Sequence, residues 1–99
     1  MNSGRLKVEV HWRLEGKAQL PTGHLYSTVA RFLRHSENWP GEAWSVVIDF
    51  GLPPSMQGKV SEGVLRFLSP KGPVEWLNDE QDIELYEGRS LVGLARRIT

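Results

Sequence analysis

At 99 residues the chain has the length of a single domain spanning residues 1–99, and 39% apolar residues with four Trp exclude a disordered chain. Twelve basic and twelve acidic side chains cancel, which excludes the global field that draws a protein to nucleic acid. The absence of cysteine excludes disulfides and thiolate sites, and favours an intracellular setting over a small secreted scaffold.

The N-terminal run MNSGRLKVEV lacks the apolar stretch of a signal peptide. Nothing in the chain approaches the roughly 18 apolar residues of a membrane helix. A soluble, cytoplasmic protein is expected, with no membrane partner. The run RLKVEVHWRLE then alternates strictly, with Leu6, Val8, Val10, Trp12 and Leu14 on one face and Lys7, Glu9, His11 and Arg13 on the other. Successive side chains of a strand point to opposite faces, so this is a half-buried strand. Gly16, Pro21 and Gly23 break the pattern into a loop.

Residues 24–41 read two ways. Val29, Phe32 and Leu33 share helical spacing, and Ser27 could cap a short helix. Tyr26, Thr28, Ala30 and Phe32 also alternate, and the aromatic and β-branched content favours a strand over 25–34. Asn38-Trp39-Pro40-Gly41 has the residues of a type II turn. The run AWSVVIDFG places Trp44, Val46, Ile48 and Phe50 on one face, with Val47 opposite, so both faces are expected to be covered. LPPSMQGK is a tight connection, and VSEGVLRFLSP is a strand that Pro70 ends. KGPVEWLNDEQ is a loop carrying Trp76.

The strands DIELYEG and RSLVGLARRI follow, joined at Glu87-Gly88. In the last strand Leu91, Gly93 and Ala95 share one face, and Val92, Leu94 and Ile98 lie mainly on the other. The small pair Gly93 and Ala95 suggests close packing or a bend. Six strands without a long helical pattern predict an all-β barrel or sandwich, and closure into a barrel would remove the free edges. The predicted core includes Val8, Val10, Trp12, Val46, Ile48, Leu85 and Val92.

DIELYEGRSLVGLARRI resembles the closing hairpin of the third domain of elongation factor Tu, in which a short strand leads to Glu-Gly-Gly-Arg-Thr, then Val-Gly and alternating small and apolar residues. LPPSMQGKVSEGVLRFLSP is similar to that family's Met-Pro-Gly-Asp turn and following strand. The resemblance runs from about Leu6 to Ile98 and implies a single small six-stranded antiparallel β-barrel, here as a free-standing domain. It also implies, at the position of Glu87, a residue beside the T stem of aminoacyl-tRNA. The chain departs from the pattern in having one glycine, Gly88, at the final turn and Gln57-Gly58-Lys59 in place of Pro-Gly-Asp. It also reads HLYSTV where the family has Arg-Pro-Gln-Phe, and it carries no phosphate-cradling glycine loop with lysine.

Catalytic signals are missing. His11, His24 and His35 show no ligand spacing, and no serine sits in a G-x-S-x-G elbow. No enzyme, cofactor, nucleotide or metal is expected. Charge is uneven along the chain. Residues 1–34 carry six basic side chains against two acidic ones, while residues 75–87 carry Glu75, Asp79, Glu80, Asp82, Glu84 and Glu87 with no Lys or Arg. Like-charge runs usually face water.

Trp12 and Trp44 belong to apolar strand faces, whereas Trp39 and Trp76 sit in loops. Loop tryptophans either fold back as lids or stand out as interface anchors. A non-catalytic module that docks a protein partner is therefore expected, using Trp39, Trp76, Glu75, Asp79, Glu80 and Glu87, with an immunity or antitoxin protein as a special case. The alternative is a translation-associated RNA or tRNA-binding module using Arg31, Arg34, Arg89, Arg96 and Arg97 on phosphates.

Overall fold

The computed structural model describes residues 4–13 and 19–98. Leu14 and Gly16, read above as strand and loop, lie outside the described residues. The chain forms β1 (Arg5–Trp12), β2 (Leu25–Phe32), β3 (Trp44–Asp49), β4 (Val60–Phe67), β5 (Asp82–Glu87) and β6 (Ser90–Arg97). A four-residue helix, α1 (Pro54–Gln57), and 3-10 turns at Leu33–His35 and Val74–Asn78 occupy the connections. The strands close into an antiparallel barrel in the order β1-β4-β3-β2-β5-β6.

The alternation seen in the sequence becomes the inside and outside of this wall. Leu6, Val8, Val10 and Trp12 of β1 point inward, as do Thr28, Ala30 and Phe32 of β2. Residues 25–32 are thus strand, and the helical spacing of Val29, Phe32 and Leu33 survives only as the 3-10 turn that follows. All seven residues named for the core are buried. Val47 is 5% exposed although it stands on the outer face of β3, so both faces of that strand are covered.

Aromatic rings close both ends. Trp12 meets Tyr26 edge-on at 5.2 Å and Phe50 at 6.2 Å, and its indole N–H donates to Ser61 Oγ at 3.1 Å. At the opposite end Phe32 stacks on Phe67 at 5.2 Å, Trp44 meets Phe67 at 6.1 Å, and Trp76 meets Phe32 at 5.5 Å. Trp44 is only half-buried there, packing on the rim of the core.

Two sequence readings change. The Asn38–Gly41 segment is not a type II turn, because Gly41 has no positive φ. The closing bond runs from Glu42 N–H to Asn38 O at 2.8 Å, one residue beyond a β-turn. A Cβ on Gly41 would come within 3.2 Å of that same carbonyl, so glycine serves close approach here. In β6 the simple alternation fails because the register shifts, with Leu85 opposite Gly93 but Tyr86 opposite Leu91. The bulge leaves Val92 as the extra residue and turns it into the core beside Ala95, instead of onto the face of Leu94. Gly93 sits at this bend, where a Cβ would come within 3.3 Å of Val10 Cγ1 and 3.4 Å of Trp12 Cε3. At the β5–β6 hairpin Gly88 has φ 62 and Arg89 does not, the geometry of a two-residue type II′ turn.

Gly63 and Gly51 provide a matched pair for testing this packing. A Cβ on Gly63 would meet Ile48 Cγ2 at 2.8 Å, Phe50 Cδ1 at 2.9 Å and the Asp49 carbonyl at 3.0 Å, whereas one on Gly51 meets nothing within 4 Å. Gly63→Ala is expected to cost about 1–3 kcal/mol in overpacking, and Gly51→Ala less than about 0.5 kcal/mol. Urea unfolding of both variants followed by circular dichroism checks this, and equal losses would mean that the β3–β4 packing is wrong.

Candidate functional site

Antiparallel closure sorts the connections to two ends. One end carries the β3–β4 connection and the β5–β6 hairpin, and therefore Glu87 and Arg89. The other carries the 33–43 and 68–81 loops, and therefore Arg34, Trp39, Glu75, Trp76, Asp79 and Glu80. The residues named as one docking set are thus divided, with Glu87 at the end opposite the loops that carry both tryptophans, although the Trp39 ring reaches its neighbour Tyr86.

The acidic run does not form a continuous negative face. On the outer wall Glu84 pairs with Arg31 at 3.4 Å and accepts the Tyr86 hydroxyl at 2.8 Å, and Asp82 pairs with Arg96 at 3.0 Å. Burial, then the neighbouring Glu84, pushes the Tyr86 phenol up from its ordinary range. Glu87 accepts the Tyr26 hydroxyl, and burial together with that carboxylate pushes the Tyr26 phenol up as well. Glu80 is 2% exposed and cannot serve as a contact residue on a docking surface. Only Glu75 and Asp79 of the named carboxylates are exposed at the loop end.

The named arginines are engaged in similar ways. Arg31 and Arg96 belong to the ion pairs above, and Arg97 donates to the backbone carbonyls of Leu77 and, at 3.0 Å, Glu80. Arg34 and Arg89 are exposed, at opposite ends of the barrel.

At the loop end the two tryptophans have different duties. Trp76 folds over the barrel mouth against Phe32, and its ring lies parallel to that of His35, 4.5 Å away at 3°. Trp39 folds down the outer wall onto Tyr86, at 5.2 Å and 39°. An open groove of about 170 Å³ lies between the loops, lined by Arg34, His35, Glu37, Asn38, Glu42 and Trp76. Neither His35 nor Tyr86 was singled out as part of a site from sequence. His35 is 41 positions from Trp76, and no periodicity relates residues brought together by closure of the sheet.

A second groove, of about 380 Å³, crosses the outer wall beside Lys7, Asp49, Leu52, Gln57 and Glu62. The Gln57 amide there donates to Glu62 O at 3.1 Å and accepts the Glu62 N–H at 2.8 Å, replacing the strand partner that β3 no longer supplies beyond Asp49. Among the described residues no three His, Asp or Glu side chains gather as metal ligands. His24 Nδ1 donates to the Phe50 carbonyl at 3.0 Å, and His11 Nε2 lies 3.0 Å from Glu9.

Among the described residues Glu80 is the one carboxylate drawn inside. Its two oxygens share a single donor, the Arg34 backbone N–H, at 3.2 and 3.4 Å. Burial pushes its carboxyl above the ordinary carboxylate range, against the smaller opposing effect of that N–H. No family of proteins, no curated protein and no solved structure matches this chain.

The raised Glu80 carboxyl has a definite sign in stability. The folded state holds this proton more tightly than the unfolded chain does. The resulting stabilisation is complete below the unfolded value of about 4.3 and is lost as pH rises through the higher folded value. Glu80→Gln keeps the acceptor for Arg34 and removes the buried charge. The variant should melt above wild type at neutral pH, with the gap closing toward about pH 4. Thermal melts of both proteins across that range measure it, and a variant less stable at neutral pH would show that the ionised carboxylate is a favourable partner.

Proposed function

We propose that the chain is a non-catalytic module that docks a protein partner through the loop end of its barrel. The observation that carries this reading is apolar exposure at that end. Leu33 is 41% exposed, Leu68 55% and Val74 44%, and they stand on the same two loops as the half-buried Trp39 and Trp76. Aromatic anchors flanked by apolar and polar rim residues are the usual make-up of an interface centre. An immunity or antitoxin protein, which acts by covering its target, is the narrowest form of this reading. Kinship with the third domain of elongation factor Tu is part of the proposal and rests on the closing hairpin around Glu87-Gly88-Arg89. The internal engagement of Arg31, Arg96 and Arg97 favours a protein over RNA as the partner.

Immobilised wild-type protein should retain a protein from native lysate that a Leu33→Asp/Val74→Asp variant of unchanged melting temperature does not. Against that partner, Trp76→Ala should raise the dissociation rate by about tenfold or more, since a buried aromatic anchor contributes about 2 kcal/mol or more. Retention equal in wild type and variant would overturn the assignment of this end, and retention of RNA in place of protein would transfer the reading to nucleic acid.

Millimolar GTP, GDP, ATP or zinc should leave the melting temperature unmoved. A native-state ligand at a hundredfold excess over Kd would add about 2.7 kcal/mol, several degrees or more in a thermal-shift assay on a domain of this size. A reproducible rise would replace the non-catalytic reading.

A further inference from the structure

We infer that Glu80, with His35 and Asp79, forms a proton-controlled latch that holds the Trp76 turn on the mouth of the barrel. The latch joins two loops. From one comes the Leu33–His35 turn, whose Arg34 N–H is, among the described residues, the only hydrogen-bond donor to the Glu80 carboxyl. From the other comes the Val74–Asn78 turn, seated by the buried Leu77, by the Trp76–His35 stack and by Arg97 on the carbonyls of Leu77 and Glu80.

An ionised carboxylate has room for about four hydrogen bonds. Glu80 receives one N–H divided between two oxygens, in a position 2% exposed. A neutral carboxyl keeps that N–H and sheds the desolvation cost. His35 Nε2 is buried without a hydrogen-bond partner and lies 3.5 Å from Asp79 Oδ1. Proton uptake at Glu80 therefore strengthens the contact between the two loops, which His35 and Asp79 also bridge.

The neighbouring charges do not outweigh the burial of Glu80. Arg97, from β6, holds backbone carbonyls and makes no bond to the carboxylate. His35 and the exposed Arg34 favour the carboxylate by less than burial disfavours it, and Asp79 adds like charge. Asp82 is paired with Arg96. Once the carboxyl ionises, it regains water by parting the 74–80 segment from the Leu33–His35 turn, and that movement carries Trp76 with it.

The latch stands without a partner, and only its bearing on partner docking rests on the function proposed above. Amide hydrogen exchange on the free protein therefore tests the latch alone. Protection factors, corrected for intrinsic rates, are compared at about pH 5 and about pH 8 for the Arg34 and Trp76 amides, with Val10 and Val46 as core references. In wild type the Arg34 and Trp76 amides should lose protection by about threefold or more on raising the pH while the core references hold, and Glu80→Gln should abolish most of that loss. Equal protection at both pH values, an undiminished loss in Glu80→Gln, or a loss shared by Val10 and Val46 would each overturn the latch. None of these outcomes touches the docking assay, which reads retention of a partner and not exchange.

Discussion

Strand β1 pairs with β4 along one side and with β6 along the other, and that double pairing closes the sheet. Closure removes every edge strand, so apolar strands can persist without templating association through unpaired backbone. It also makes the interior narrow. Valine, isoleucine and leucine fill the middle layers, while Trp12, Tyr26 and Phe50 close one end and Phe32, Phe67 and Trp76 the other. Where two walls approach too closely for a side chain, the residue is Gly63 or Gly93.

Closure also decides what the charges do. Residues that look like an acidic run and a scatter of arginines become cross-strand neighbours on β2, β5 and β6, in the pairs Arg31–Glu84 and Asp82–Arg96. Exposed pairs such as Asp82–Arg96 contribute about 0–1 kcal/mol, and Arg31–Glu84 is only partly buried, so their importance to the fold is small. Their importance to recognition is larger, since neighbouring opposite charges leave little field beyond a Debye length of about 8–10 Å. Steering by a large charged face is thereby weakened, and the apolar and aromatic rim of the loop end becomes the more distinctive surface.

At that rim stability and accessibility compete for the same residues. Trp76 covers the core through Phe32, yet it belongs to a short 3-10 turn rather than to the sheet. The turn is fastened by Leu77, by Arg97 on two carbonyls and by a carboxyl that burial makes reluctant to ionise. Segments held by few buried groups open at lower free energy than the strands they cap. A lid of this construction can be both part of the core and part of a contact surface.

The amino-acid sequence by itself determined the strands and most of the core, because period-two alternation is a local property and burial of one face follows from it. Val8, Val10, Trp12, Val46, Ile48 and Leu85 were legible for that reason. Val92 was legible as core, but that Ala95 joins it inside was not, since a bulge depends on the register against β5. Trp39 and Trp76 were legible as loop residues, and the choice between lid and anchor was left open. Only the tertiary structure decided that Trp76 stacks on His35, that Trp39 lies on Tyr86, that Glu87 stands at the opposite end and that Glu80 is buried. Each of these depends on which strands become neighbours when the barrel closes, and pairing across tens of residues leaves no periodic trace in the chain.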